Sequence, residues 1–213
     1  MYKILLFGPQ GSGKGTQAVR LSASLMVPAL SMGQLLRDVI ARGDELGLKF
    51  ASIMDAGNLV SDQDAISVLK LRLQEQDAVN GYIIDGYPRN QSQYEVYVSF
   101  DKPTHVIVLD LSDEEALRRL TGRRTCKKCG AVFHIEFHPP KMEGVCDLCG
   151  GELGQRNDET SEATRRRLEI YHNDTLPVLA EYEKLGIVHY VDGSKSMDQV
   201  EEEIKKYVLS KNS

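Results

Sequence analysis

The chain of 213 residues has no tryptophan, and its nine tyrosines and five phenylalanines make up only 7% of it. A broad basic face interleaved with aromatics, the usual surface for nucleic acid, has little to be built from. An excess of positive charge is missing too. The formal net charge is -5 with histidine neutral, which argues against a long polyanionic partner. No apolar run is long enough to span a bilayer. The start, Met1 to Gly8, lacks the long apolar stretch and small-residue cleavage site of a secretory signal. These absences predict a cytoplasmic protein with no membrane and no nucleic-acid partner. No Ser-His-Asp arrangement is visible. His134 and His138, with Pro139-Pro140, read as packing and turn residues, and His105, His172 and His189 have no distinctive spacing.

What is present is ordinary for a globular enzyme, with 41% hydrophobic and 27% charged residues. That length buries one sizeable core. Short apolar strands are predicted over 2–7, 82–85, 105–110 and 187–191, with a weaker one near Ala29–Leu30. Helical periodicity covers 14–25, 32–42, 45–56, 62–76, 112–121, 159–184 and 196–210. Such alternation predicts an α/β fold, a parallel sheet flanked by helices, with ligands at the carboxyl ends of the strands. Two segments break the rhythm. Residues 31–60 carry two helices where one crossover would serve, and 122–158 lose periodicity and read as an irregular insertion.

The first strand runs into Gly8-Pro9-Gln10-Gly11-Ser12-Gly13-Lys14-Gly15-Thr16, which opens the first helix. Phosphates need inward-pointing backbone N–H groups, which glycines permit by tolerating unusual dihedrals. The helix N-terminus adds its positive dipole, and Lys14 reaches β- and γ-phosphates as a mobile point charge. Gly15 stands where Ser or Thr usually contacts magnesium. Downstream, Arg118, Arg119, Arg123, Arg124, Arg156, Arg165, Arg166 and Arg167 crowd one stretch of an acidic chain, which suits a compact polyanionic ligand.

All four cysteines lie in that same region. Cys126 and Cys129 form one pair, Cys146 and Cys149 another, each with two residues between and a glycine after, and sixteen residues separate the pairs. The spacing lets four sulfurs converge on one tetrahedral ion, with zinc favoured by frequency and iron the alternative. Four ligands leave no open position, so the metal is expected to be structural. The alternatives are two disulfides or four free thiols.

Gly13-Lys14-Gly15-Thr16-Gln17, Asp85-Gly86-Tyr87-Pro88-Arg89, Gly122-Arg123-Arg124, Arg156-Asn157-Asp158 and Arg165-Arg166-Arg167 follow one another in an order that resembles the adenylate kinases and their nucleoside monophosphate kinase relatives. The likeness runs to Val191–Lys195. It implies a five-stranded P-loop core (1–30, 61–121 and 160–213), a monophosphate-binding insertion (31–60) and a lid with a zinc site (122–159). It further implies a monomer that uses ATP with Mg2+ and AMP. By position, Gly11, Ser12, Gly13, Lys14, Gly15 and Thr16 would hold the ATP phosphates. Arg123 would grip ATP from the lid, with Arg119, Val132 and Phe133 near the adenine and Lys195 touching it through its main chain. Arg37, Arg89, Arg156 and Arg167 would surround the AMP phosphate and the transferring group. Met32, Asn58, Leu59, Val60, Gly86, Tyr87, Pro88 and Gln93 would line the AMP base. Asp85 would orient magnesium through its waters. Of the three adjacent arginines only Arg167 matches a phosphate ligand, and the others are expected to be solvated or paired with acids such as Glu162 or Glu169.

The residue types suit that chemistry. An attacking phosphate oxygen is already anionic, so the demand is for positioning and charge stabilisation, which arginines, Lys14 and magnesium supply. Met32 stands where the family usually has a threonine, and Asn90-Gln91 resembles the UMP/CMP kinases. Gln93 fits an adenine reader, and pyrimidine monophosphates are the alternative. A nucleotide switch or ATPase would instead need a water-orienting residue, and a zinc-ribbon nucleic-acid protein a broader basic face.

Overall fold

The computed structural model describes residues 1–156 and 160–211. The chain begins with β1 (Tyr2–Phe7), α1 (Lys14–Leu25), β2 (Ala29–Ser31), α2 (Met32–Ile40), α3 (Glu45–Asp55) and α4 (Asp62–Leu73). Next come β3 (Gly81–Asp85), α5 (Gln91–Phe100), β4 (His105–Asp110) and α6 (Asp113–Thr121). Three short strands follow, β5 (Arg123–Cys126), β6 (Val132–His134) and β7 (Leu153–Gly154). A long helical run closes the chain: α7 (Ser161–Ile170), a π-helical turn (Tyr171–Thr175), α8 (Leu176–Glu183), then β8 (Val188–Asp192) and α9 (Met197–Ser210).

The main sheet has the order β2-β3-β1-β4-β8 with every pairing parallel. Its central strands are buried on both faces, which is why they read as continuous apolar runs. The period of two divides the core between the faces. Leu5, Phe7, Tyr82, Ile84, Val106 and Val108 enter one apolar cluster with α2, α4, α5 and α8. Ile4, Leu6, Ile83, Ile107 and Leu109 enter the other with α1 and α9. The chain leaves β1 toward β2 and β3 on one side and reaches β4 and β8 on the other. The resulting crevice lies at the carboxyl ends of β1, β3 and β4, where ligands bind in such sheets.

The five strands agree with expectation; two elements do not. The predicted helices include none over 91–100, where α5 forms although Tyr94, Val96, Tyr97 and Val98 have strand propensity. Asn90 caps it by accepting from the Gln93 N–H, and Tyr97 is buried edge-on against Tyr87. Tertiary contacts outweigh propensity there. The stretch expected to be irregular holds a three-stranded antiparallel sheet, β6-β5-β7. Its strands are too short and too polar to show alternation. The long helix absorbs Pro177 just after its π turn, where the regular bond ladder is already interrupted. Asn157 and Asp158 of the Arg156-Asn157-Asp158 motif lie outside the described residues, as do 159, where that helix and the end of the lid were expected, and 212–213. Among the described residues no helix is long and apolar enough to cross a membrane.

Candidate active site

The loop after β1 packs against the sheet more closely than any side chain would allow. A Cβ at Gly8 (φ 138) would sit 2.4 Å from the Leu109 carbonyl oxygen, and one at Gly11 (φ 87) 2.8 Å from that of Ala116. The loop then delivers Gly13 in the left-handed region as N-cap of α1 and leaves the first N–H groups of the helix for a ligand. Ser12 is buried, whereas Gly15 and Thr16 are exposed. Gly15 faces Asp85 at the end of β3, with its missing Cβ 3.6 Å from Oδ2.

Lys14 folds back over this loop. Its Nζ donates to the carbonyls of Gly8 at 2.7 Å and Pro9 at 2.8 Å, and to Ser12 Oγ at 3.4 Å. Burial lowers its pKa to about 8; Asp85 opposes the fall, and the charges of Arg89, Arg167 and Arg123 add to it. Four residues from three stretches of chain thus act on one amine. The crevice has more positive charge than its own carboxylate can neutralise.

A cleft open to solvent adjoins this cluster. It is lined by Met32, Arg37, Asn58, Leu59, Val60, Gly86, Tyr87, Arg89, Gln93 and Arg167, which is the expected monophosphate set apart from Pro88 and Arg156. Pro88 is buried beyond the cis Tyr87–Pro88 bond, and Arg156 is half-buried. Gly33, Leu36, Met54, Gly57 and Ala65 complete the wall; no sequence motif marks them. Arg89 Nε donates to the Gly86 carbonyl at 2.7 Å, and the buried Thr175 donates to the Arg89 carbonyl at 2.8 Å. Thr175 was not foreseen, since it reaches the loop only through the π turn. Arg166 meets Glu169 and Asn58 while Arg165 is exposed, in line with expectation.

On the other side of the phosphate loop, Arg119 joins two expected nucleotide contacts. Its Nη1 donates to the Gly193 carbonyl at 2.9 Å, two residues before Lys195, and its Nε pairs with Glu115. Val132 is exposed, but Phe133 is 4% exposed, stacked on His138 and packed with Cys126, Cys146 and Leu153. The ring that meets Arg119 is Phe137, which carries the guanidiniums of Arg118 and Arg119 at 5.0 and 5.7 Å. Nothing in the spacing of the sequence signals that contact.

Phe133 belongs instead to the apolar backing of the cysteine cluster. The four sulfurs lie within 4.8 Å of one another, with Cys126 and Cys149 at 3.5 Å and Cys129 and Cys146 at 3.6 Å. These distances are far too long for disulfides and near the roughly 3.8 Å edge of a tetrahedron with zinc–sulfur bonds of about 2.3 Å. Gly130 and Gly150 (φ 73 and 67) turn each knuckle. Burial acts against ionisation of Cys126, yet the N–H groups of Cys129 and Lys128 hold its thiol down to about 6. The donor set fits a structural tetrahedral ion.

Fold and loop together define the class: a P-loop nucleotide-binding protein, with a second, arginine-walled cleft of the kind an acceptor needs. The comparisons specify it further. The family model described as adenylate kinase matches residues 6–187. Proteins named adenylate kinase are similar over nearly the full chain. That of Archaeoglobus fulgidus is 42% identical over 95% of both chains. That of Methanosarcina barkeri is 44% identical over 95% of this chain and 96% of its own. One from Clostridium botulinum is 41% identical over 96% and 97%. The chain belongs to the adenylate kinase family.

Proposed function

We propose that this protein catalyses the reversible, magnesium-dependent transfer of the γ-phosphoryl group from ATP to AMP, giving two ADP. The observation that carries the reading is the convergence of Arg89, Arg123, Arg167 and Asp85 on Lys14 beside a separate cleft lined by Arg37 and Gln93. A nucleotide switch has no use for that second cleft.

ATP lies with its phosphates against the N–H groups of Gly11–Thr16 and against Lys14. Arg119, Val132 and the Lys195 main chain flank its base. Phe137 is better sited than Phe133 to take part. AMP fills the cleft with its base against Met32, Leu59, Val60 and Gln93, and its phosphate meets Arg37, Arg89, Arg156 and Arg167. Its attacking oxygen is already anionic, so no general base is needed. The arginines and Lys14 align the two polyanions and spread the charge of the transferred group. Asp85 is the carboxylate that would hold magnesium waters; when bound, magnesium neutralises the β- and γ-oxygens. Cys126, Cys129, Cys146 and Cys149 would hold zinc, which stiffens residues 122–159 as a lid that excludes water during transfer. Residues 31–60 act as the monophosphate-binding insertion on a core of 1–30, 61–121 and 160–213. The enzyme works as a cytoplasmic monomer.

Gln93 and the names of the relatives support AMP over UMP or CMP. The test is an assay of ATP with magnesium against AMP, UMP, CMP and GMP, with products resolved by chromatography. AMP is expected to be phosphorylated fastest. Faster transfer to a pyrimidine monophosphate would refute the base assignment, and no transfer to any acceptor would refute the reading as a whole.

A further inference from the structure

Asp62 begins α4, where any acid is favourable in a first helical turn. Asp64, in the same turn, does only that local work: it bonds to Ser61 and Lys49. Asp62 does something else. Its Oδ1 accepts from Gln93 Nε2 at 2.8 Å and from Asn90 Nδ2 at 2.9 Å. At the far end of the same amide, Gln93 Oε1 accepts from the Arg89 backbone N–H at 2.8 Å.

A carboxylate can only accept and a backbone N–H can only donate, so the two ends of the Gln93 amide cannot be exchanged. Gln93 is 3% exposed, and water cannot repair a turned amide there. One N–H and one lone pair of that amide remain unused in a side chain that lines the cleft. A 6-amino purine offers a donor at C6 and an acceptor at N1, and a 6-oxo purine offers the reverse. A fixed amide suits one edge, whereas an amide able to turn over serves both.

We propose that Asp62 is a positioning residue for base selectivity: by fixing the sense of the Gln93 amide, it lets the cleft take AMP and refuse its 6-oxo counterpart IMP. The inference rests on the reading of this cleft as the AMP site. A base presenting the wrong edge leaves both remaining groups of the Gln93 amide unmatched, which discriminates by about 10-fold or more.

The experiment compares kcat and KM for AMP and IMP in the native enzyme, Asp62→Ala and Asp64→Ala, with thermal unfolding of each. Asp62→Ala is expected to lower the AMP-over-IMP ratio of kcat/KM by about 10-fold, through KM for AMP, with kcat moved less than about threefold. Asp64→Ala loses its helix-start bonds and unfolds at a lower temperature, but keeps the native ratio. Should Asp62→Ala fail to fold, Asp62→Leu carries the same test, since a side chain of nearly the same size has no atom that can accept. A native ratio in the Asp62 variant, or an equal fall in the Asp64 variant, would overturn the proposal alone. A native enzyme with no activity on AMP would overturn it together with the reading beneath it.

Discussion

Lys14 should destabilise the fold it serves. Its pKa falls from 10.5 to about 8, first because the amine is buried and then because Arg89, Arg167 and Arg123 surround it. That difference corresponds to about 3 kcal/mol in favour of the neutral amine. The folded pKa lies below the unfolded one, so between about 8 and 10.5 the unfolded chain binds more protons, and stability from this group rises with pH across that window. Below pH 8 both states are charged and the whole cost is present. Replacing the residue by methionine, of similar length and without charge, removes the dependence. Methionine also forfeits the bonds to Gly8 and Pro9, so the sign of the stability change at one pH is a balance of comparable terms. The pH dependence of the difference has no such ambiguity. In urea unfolding between pH 7 and pH 10, the native protein should gain about 2.5 kcal/mol relative to Lys14→Met. Other lysines and tyrosines titrate equally in both and cancel. A difference that stays level with pH, or moves the other way, would refute the argument that the amine is buried among like charges. Phosphoryl transfer by the variant should fall by at least about 100-fold, the usual loss for one donor at developing charge.

Two further outcomes follow from geometry alone. Gly8→Ala forces a Cβ to 2.4 Å from the Leu109 carbonyl at φ 138, and should destabilise the fold by about 3 kcal/mol, read in thermal unfolding. An unchanged unfolding temperature would mean the loop is not seated as described. Treatment with a strong chelator, or Cys146→Ser, should lower the unfolding temperature and release about one zinc per chain. If neither moves stability, the four sulfurs hold no structural metal.

Much of this architecture could be read from residue order, and the reasons are physical. The central strands are buried on both faces, and each of the five is a short apolar run that flanking Gly, Pro or Asp brings to an end. The phosphate loop and the paired cysteines declare themselves because their chemistry demands fixed local spacing. Contacts made only by folding stayed hidden. α5 is held by the Asn90 cap and by tyrosines that read as strand. Phe137 meets Arg118 and Arg119 across a turn of polar sequence, while the more obvious Phe133 backs the cysteine cluster. Thr175 and Asp62 reach the segment Arg89–Gln93 from distant helices. Their separations in sequence, 86 residues from Arg89 and 31 from Gln93, put such pairings beyond any periodic pattern.

The most direct test of the central claim is the fate of the γ-phosphoryl group in one turnover. ATP labelled at that position is mixed with excess enzyme and magnesium, with and without AMP, and the labelled products are separated. Two adjoining anion sites predict label in the β-phosphate of newly formed ADP, with almost none in inorganic phosphate and little consumption of ATP when AMP is withheld. Label released as inorganic phosphate at a rate indifferent to AMP would contradict the account.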